Sequence, residues 1–124
     1  MSDTIADLIN RINNVNRLGK EELEVPFSKM KAAVLRVLKS LGYICEFTQT
    51  ADKTIKIKLT PRKKGFEKIR RVSTPSRKIY VKAKFIPRPK SGFGEVIVST
   101  PRGVISGKEA RRIGTGGEII CEVF

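Results

Sequence analysis

The sequence of 124 residues predicts an α+β fold built in two parts. In the first half, two segments with apolar residues three and four apart alternate with short runs of alternating apolar and polar residues, which predicts an α-β-α-β-β unit. The second half has short alternating runs separated by proline and glycine, which predict a small, mostly antiparallel β unit with one short helix. A basic, turn-rich link at residues 60–65 separates the halves, so we expect an N-terminal domain at 1–62 and a C-terminal domain at 63–124.

Two helices and three strands are predicted for the N-terminal domain. The first helix covers residues 3 to about 16, and the second is capped by Ser28 and stopped by Gly42. Their apolar faces are Ile5, Leu8, Ile9, Ile12 and Val15 in the first helix, and Met30, Ala33, Val34, Val37, Leu38 and Leu41 in the second. Strands are predicted at 21–27, where Pro26 indicates a sheet edge or a strand end, and at 43–49 and 54–60. In the last of these, Ile55, Ile57 and Leu59 face the core.

Four strands and one helix are predicted for the C-terminal domain, with strands at 69–72, 79–86, 95–100 and 118–123. In the second of these, Tyr80, Lys82 and Lys84 share one side, and Phe85 lies on the opposite, apolar side. Ser106 and Glu109 form a capping box that starts a helix at Gly107–Ile113, and Gly114 ends it in a left-handed conformation. In the last strand Ile119, Cys121 and Val123 alternate with polar residues.

The formal net charge of +14 favours a polyanionic partner, with nucleic acid ahead of an anionic membrane surface. The charge is concentrated in residues 56–90, which contain fourteen lysines and arginines and one glutamate. Apolar residues at strand-like spacing interrupt this block, so we expect it to be folded and to contact phosphates. Arg70, Arg71 and Lys82 are the candidate phosphate contacts within it, and removing their charge is predicted to lower the salt dependence of RNA binding.

Several classes of chemistry are excluded by residue type and spacing. Histidine is absent, which removes the usual general base and the commonest zinc ligand. Glu118 and Glu122 fall on one side of a strand but about 13 Å apart, too far to share a metal. Cys45 and Cys121 have no metal-ligand spacing and are expected to be buried and reduced, in a cytosolic protein. We therefore expect no enzyme activity, no metal and no cofactor.

A neutral stretch near the C-terminus carries the candidate residues for reading RNA. Hydroxyl, glycine and carboxylate groups occur together at Ser99, Thr100, Gly116, Gly117 and Glu118. Such small groups suit the shallow minor groove of A-form RNA, where a carboxylate can accept from a base amine or a sugar hydroxyl. Tyr80 is a candidate for stacking on a base, and Asn14 is one of several amides on the outer face of the first helix. Lys29 and Lys31 lie in the first turn of the second helix, where the helix dipole disfavours cations. An anion bound at this helix N-terminus would explain why two lysines occur there.

The residues closely resemble the bacterial form of the small-subunit ribosomal protein eight family. The matches include Asp3-x-Ile5-Ala6-Asp7-Leu8-Ile9, Pro26-x-Ser28-Lys29-x-Lys31, Leu41-Gly42-Tyr43-Ile44 and Arg71-Val72-Ser73. The densest match runs from Ser99-Thr100-x-x-Gly103-Val104 through Ala110-Arg111 to Gly116-Gly117-Glu118-Ile119-Ile120-Cys121. Two positions depart from the family pattern: Asn10 stands for a threonine, and Pro101 stands where a third hydroxyl is usual.

The resemblance implies a two-domain α+β protein that binds the central domain of 16S rRNA directly. It further implies a role in assembling the platform of the 30S subunit, beside small-subunit proteins five and twelve, as a monomer within the ribonucleoprotein. By motif matching, Ser99, Thr100, Gly116, Gly117 and Glu118 correspond to the RNA-reading residues, supported by Tyr80, Lys29 and Lys31. Pro101 would stiffen the turn in place of donating a hydrogen bond.

Two other functions compete with this one. A non-ribosomal protein that binds polyanions or a membrane surface would use the basic block, although no amphipathic helix carries those residues. A nuclease-like enzyme is a weaker alternative, whose signature would be magnesium-dependent cleavage of structured RNA. No apolar run reaches membrane-spanning length, so a soluble chain is expected, and the favoured function involves no membrane.

Overall fold

A computed structural model describes residues 4–61, 66, 68–87 and 94–124. Contacts within the chain divide it into two compact units, Met1–Glu67 and Lys68–Phe124. The predicted domain boundary, between positions 62 and 63, lies outside the described residues. The predicted α+β class is confirmed, because the described residues form three α-helices and eight strands in two antiparallel sheets.

The first unit places two helices against a three-stranded sheet. In chain order its elements are α1 (Thr4–Arg17), β1 (Glu22–Pro26), α2 (Lys29–Ser40), β2 (Ile44–Gln49) and β3 (Thr54–Leu59). The strand order is β1-β3-β2, so β1 lies at an edge and Pro26 is its last residue, and both positions are ones that the sequence allowed for this proline. α1 contacts β1 and α2, while α2 contacts β2. Along β3 the residues Ile55, Ile57 and Leu59 are buried and the two lysines between them are exposed, as predicted.

The apolar face of α2 is rotated relative to the prediction. Met30 is 41% exposed, whereas Leu35, which was not assigned to the core, is fully buried. Val34, Val37 and Leu38 are buried as expected. In α1 the last buried position is Asn16, whose Nδ2 donates a hydrogen bond to the carbonyl of Phe66 at 3.0 Å. A buried amide must be hydrogen-bonded, and this one ties the end of α1 to the chain beyond β3.

The second unit is a five-stranded sheet with one short helix. Its elements are β4 (Ile69–Arg71), β5 (Tyr80–Val81), a 3-10 turn (Ala83–Phe85), β6 (Glu95–Thr100), β7 (Gly103–Ser106), α3 (Gly107–Ile113) and β8 (Gly117–Val123). The order is β4-β8-β6-β7, and β5 pairs with β8 as well. α3 contacts β6 and β7. Its Ala110 packs with Ile86, Val96, Val98 and Ile119 in the core of this unit.

Three features of this unit differ from what the sequence predicted, of which the first two concern its strands. The expected strand at 79–86 ends at Val81 and gives way to the 3-10 turn, so Phe85 is 65% exposed instead of facing the core. The strand β7 was not predicted, because its apolar part is only Val104 and Ile105. The predicted loop between positions 87 and 94 falls mostly outside the described residues.

The third difference concerns the two glutamates of β8. The register between β6 and β8 shifts, so that Ile97 pairs with Cys121 while Val98 pairs with Ile119. Glu118 therefore lies opposite Ser99, and Glu122 lies opposite Val96. Because Ser99 and Val96 are three residues apart on a regular strand, the two glutamates fall on opposite faces instead of one.

Helix α3 begins and ends as the sequence indicates. The Ser106 hydroxyl accepts a hydrogen bond from the Glu109 amide at 3.2 Å, and Gly114 ends the helix with φ of 74°. The Glu109 carboxylate does not return to the cap but pairs with Arg112, whose hydrogen bond lowers the pKa of Glu109. In the first turn, the amide of Lys108 instead donates a hydrogen bond to the carboxylate of Glu95, a buried residue on β6, at 3.3 Å.

Candidate nucleic-acid interface

A row of three polar side chains crosses the sheet of the second unit. In the register of the strands, Glu118 on β8 lies opposite Tyr80 on β5 on one side and opposite Ser99 on β6 on the other. Directly opposed residues of antiparallel strands project from the same face, with their Cβ atoms about 4.5–5.5 Å apart. We call Tyr80, Glu118 and Ser99 the polar row.

The functional groups of the polar row are available for an external partner. Tyr80 is 67% exposed, and Glu118 and Ser99 are half-buried. None of the described residues hydrogen-bonds the Tyr80 or Ser99 hydroxyl, and none pairs with the Glu118 carboxylate. A half-buried polar group without a protein partner favours binding, because it is oriented by the fold and still has its hydrogen-bonding capacity.

Gly116 and Gly117 are half-buried, and besides the bare surface expected of them they meet a packing requirement of the main chain. A Cβ at Gly116 would lie 2.3 Å from the carbonyl oxygen of Val81, and one at Gly117 would lie 2.1 Å from that of Ser99. Both distances are impossible for real atoms, so the main chains flanking β8 approach it only because these residues are glycine. The two glycines thereby place Tyr80 and Ser99 beside Glu118.

The Thr100 side chain forms hydrogen bonds within the turn that joins β6 to β7. The Thr100 hydroxyl donates to the carbonyl of Gly103 at 2.8 Å and accepts from the Arg102 amide at 3.1 Å. Pro101 occupies the first position of this two-residue turn, between the paired residues Thr100 and Gly103. The hydroxyl therefore stabilises the turn, and a single lone pair is left for another partner.

The three candidate phosphate contacts of the basic block differ in availability. Lys82 is exposed and has no partner among the described residues. Arg70 places Nη2 3.2 Å from Oε1 of Glu122, and the Arg71 Nη1 donates to the carbonyl of Ile120 at 3.4 Å. Both arginines thus also hold β4 against β8, while Lys82 has no such structural contact.

In the first unit, the two lysines at the start of α2 differ in their exposure to solvent. Lys29 is exposed, whereas Lys31 is 3% exposed and its ammonium donates to the carbonyl of Pro26 at 3.0 Å. Lys31 therefore anchors α2 to the end of β1, a contact that the sequence pattern could not reveal. Asn14 is exposed on α1, and its Oδ1 accepts from the Arg17 guanidinium at 3.3 Å.

An exposed aromatic side chain within the basic block was missed by sequence reasoning. The Phe85 ring is exposed at the end of the 3-10 turn, and the Lys84 ammonium lies 5.1 Å from its centroid. Alternation along residues 79–86 indicated a strand and therefore a buried Phe85. The shortness of the 3-10 turn leaves no pattern that would have corrected this.

The cysteines are both free, but only one is buried as predicted. Cys45 is exposed, and its thiol donates weakly to the carbonyl of Leu59 at 3.7 Å. Burial raises the pKa of Cys121 to about 12. Over the part of the chain that the structure describes, no cluster of three potential metal ligands is found, and no helix combines the length and apolar character needed to cross a bilayer.

Comparison with known proteins gives matches over nearly the whole chain. The sequence profile of a family described as "Ribosomal protein S8" matches residues 3–124. The small ribosomal subunit protein uS8 of Alcanivorax borkumensis is 45% identical over 127 residues, covering 99% of this chain and 98% of that protein. The proteins of the same name from Thermus aquaticus and Thermus thermophilus are 42% and 39% identical, each covering 100% of this chain and 99% of their own length.

Proposed function

Because the chain belongs to the ribosomal protein S8 family, we propose that it is a constituent of the small ribosomal subunit that binds the central domain of 16S rRNA directly. The family assignment gives the chain a structural role in the ribosome and confirms that it is not an enzyme. We further propose that it helps to assemble the platform of the 30S subunit as a cytoplasmic monomer, beside small-subunit proteins five and twelve.

The polar row is the observation that best supports direct recognition of RNA. An ionised carboxylate can only accept hydrogen bonds, so Glu118 selects a base amino group or a 2′-hydroxyl and repels phosphate. The Ser99 hydroxyl can donate or accept beside it, and the exposed Tyr80 ring can stack on a base or ribose. Thr100, with one free lone pair, would add a weaker contact. The paired strands give these groups a fixed spacing, as a structured RNA site requires.

Affinity and selectivity are then carried by different groups. Lys82, Lys29 and the exposed side of Arg70 would contact phosphates, which adds affinity without sequence information. Lys31 is left out of this set because its ammonium is buried against Pro26. Gly116 and Gly117 contribute by holding the strands together, and Arg71 by bonding to β8.

Footprinting on small-subunit rRNA at moderate salt tests this function, with the wild-type chain compared with Glu118→Ala. We expect a protected site in the central domain and a loss of about 1–3 kcal/mol in binding free energy at that site for the variant. Glu46→Ala is the matched control, since Glu46 is an exposed strand carboxylate of the first unit. It should leave the footprint and the affinity unchanged.

The proposal fails if Glu118→Ala weakens binding to a random RNA duplex as much as binding to the rRNA. Equal losses would mean that the carboxylate supports the fold and does not contribute to recognition of the rRNA site. Co-sedimentation with vesicles rich in anionic lipid, at physiological salt, provides the second comparison. Binding to vesicles as tight as binding to rRNA would favour a general polyanion-binding protein.

A further inference from the structure

The first unit has a concave surface that the polar row does not use. It lies between α2 and the ends of β2 and β3, and its volume is about 440 Å³. This is within the range of sites that hold small ligands. We call it the α2 cleft, and the residues that line it include Phe27, Lys29, Arg36, Phe47 and Gln49.

Two cations lie along one wall of the α2 cleft. Lys29 and Arg36 are separated by seven residues of α2, which places them on the same helix face about 10.5 Å apart along its axis. Both side chains are exposed, and neither has an ion-pair or hydrogen-bond partner among the described residues. None of the described residues that line the cleft is a carboxylate. A concave site with two unpaired cations attracts an anion with two separated charges.

The opposite wall and the floor are apolar and aromatic. Phe27 and Phe47 are half-buried and Ile55 is buried, and all three line the cleft, so the two rings present part of their surface to it. Gln49, which is exposed, adds a side-chain amide that can donate and accept at once. Aromatic surface beside cations is the combination with which proteins bind single-stranded nucleic acid, because bases stack and phosphates pair.

We propose that the α2 cleft binds one unpaired nucleotide of RNA. Its base lies against Phe27 and Phe47, its flanking phosphates pair with Lys29 and Arg36, and the Gln49 amide contacts a base edge. An acidic peptide would satisfy the two cations but would gain little from the two rings, so RNA fits better. The inference rests on the proposed function for its partner class, yet it concerns a different unit and different residues from the polar row.

Fluorescence anisotropy of a labelled single-stranded oligouridylate tests the α2 cleft in the full-length chain. Lys29→Gln and Arg36→Gln should each lower the salt slope of binding by about 0.7. Phe47→Leu should weaken binding at least about fivefold with the slope unchanged, because a base loses its stacking partner. Lys39→Gln is the matched control, since Lys39 is an exposed lysine in the last turn of the same helix and does not line the cleft.

Ultraviolet cross-linking locates the bound oligouridylate without any substitution, and we expect adducts on peptides that contain Phe27 or Phe47. The inference is overturned if the cleft variants bind like the wild type, if the cross-links fall elsewhere, or if polyglutamate displaces the RNA at equal charge concentration. The last result would assign the cleft to an acidic protein segment. Glu118→Ala should bind oligouridylate normally, so failure of the cleft and failure of the polar row can be told apart.

Discussion

At the scale of single residues, Gly116 and Gly117 combine a place in the candidate binding surface with a packing requirement of the main chain. The sequence placed both glycines in the RNA-reading surface, and the structure places their missing side chains against the backbones of β5 and β6. The available hydrogen-bonding groups belong to their neighbours in the register, Tyr80, Glu118 and Ser99. A glycine pair in a strand therefore indicates where strands approach closely, and the residues opposite it are the ones to examine.

Gly117→Ala should be strongly destabilising, because its Cβ would overlap the Ser99 carbonyl oxygen and force β6 away from β8. We expect the free energy of unfolding in urea to fall by about 1–3 kcal/mol, the usual cost of overpacking. The same shift should weaken rRNA binding by displacing Ser99 from Glu118. Thr48→Ala, at an exposed position of β2 in the first unit, is the control and should affect neither measurement. A fully stable Gly117→Ala would show that the sheet adjusts freely.

The two thiols should react with a thiol reagent at very different rates. Cys45 is exposed, whereas Cys121 is buried and its pKa is raised to about 12, so it has almost no thiolate at neutral pH. We expect one thiol to be labelled rapidly by Ellman's reagent in the native chain and the second only after unfolding. Cys45→Ser should abolish the rapid phase. Two equally fast thiols would contradict the burial of Cys121.

The raised pKa of Cys121 also predicts a loss of stability at high pH. Below about pH 9 the thiol is protonated in both the folded and the unfolded chain, so it adds no pH dependence. Above that pH the unfolded chain loses the proton while the folded chain keeps it up to about pH 12, which favours unfolding. We expect the unfolding free energy to fall between these values, measured by urea denaturation. In Cys121→Val this part of the decrease should be absent.

At the scale of secondary-structure elements, α3 depends on a contact that its own sequence does not contain. The buried Glu95 of β6 accepts from the Lys108 amide at 3.3 Å, and its Oε1 lies 3.7 Å from Nη2 of Arg111. One carboxylate thus satisfies the first turn of the helix and neutralises a cation farther along it. It docks a helix of seven residues that would not be stable alone.

Glu95→Ala should cost about 3–5 kcal/mol of unfolding free energy, because it leaves the guanidinium of Arg111 without its partner at a largely buried position. Adding Arg111→Ala to Glu95→Ala should cost less than the sum of the two single changes, as a double-mutant cycle in urea would show. The exposed pair Glu109 and Arg112 is the control, and its removal should hardly change stability. Strict additivity for Glu95 and Arg111 would show that they do not interact.

At the scale of the whole molecule, the large positive charge is partly used within the protein. Arg70 and Arg71 contact Glu122 and Ile120, and Lys31 contacts Pro26, so their cations hold the fold as well as adding to the electrostatic field. Lys82 and Lys29 have no such internal contact among the described residues. The contribution of a basic residue to RNA affinity therefore cannot be inferred from its place in a basic block.

Lys82→Gln should lower the salt slope of rRNA binding by about 0.7–0.9 and leave the unfolding free energy unchanged. Arg70→Gln and Arg71→Gln should lower stability as well, because each removes a contact between β4 and β8. Binding measured across a salt series, beside urea denaturation of each variant, separates the two effects. An unchanged slope for Lys82→Gln would remove it from the set of phosphate contacts.

The fold was largely predictable because local patterns dictate most of it. Ser106, Gly114 and the apolar spacing in between gave the bounds of α3, and Pro26 limited β1 to an edge or a strand end, which agrees with the structure. The strand predicted at 79–86 was too long because the alternation of apolar and polar residues continues past Val81, where the strand ends and a 3-10 turn follows. Nor does periodicity reveal the register shift opposite Ile97 and Val98, which depends on how two distant strands pair.

The candidate site was predictable as a set of residues but not as an arrangement. Residue types and the family resemblance selected Tyr80, Ser99 and Glu118, and pairing across three strands brings them into one row. The sequence could not distinguish the buried ammonium of Lys31 from the exposed one of Lys29, because both lie in the first turn of α2. Nor could it show that Phe27, Arg36 and Phe47 line one concavity, since they come from three separate segments.

The backbone contacts of Gly116 and Gly117 have a practical consequence for engineering. Because main-chain atoms set the spacing between these strands, the side chains at positions 80, 99 and 118 can be exchanged without moving the platform that carries them. A combinatorial library confined to these three positions, selected against altered rRNA helices, would therefore sample new recognition chemistries on a constant scaffold.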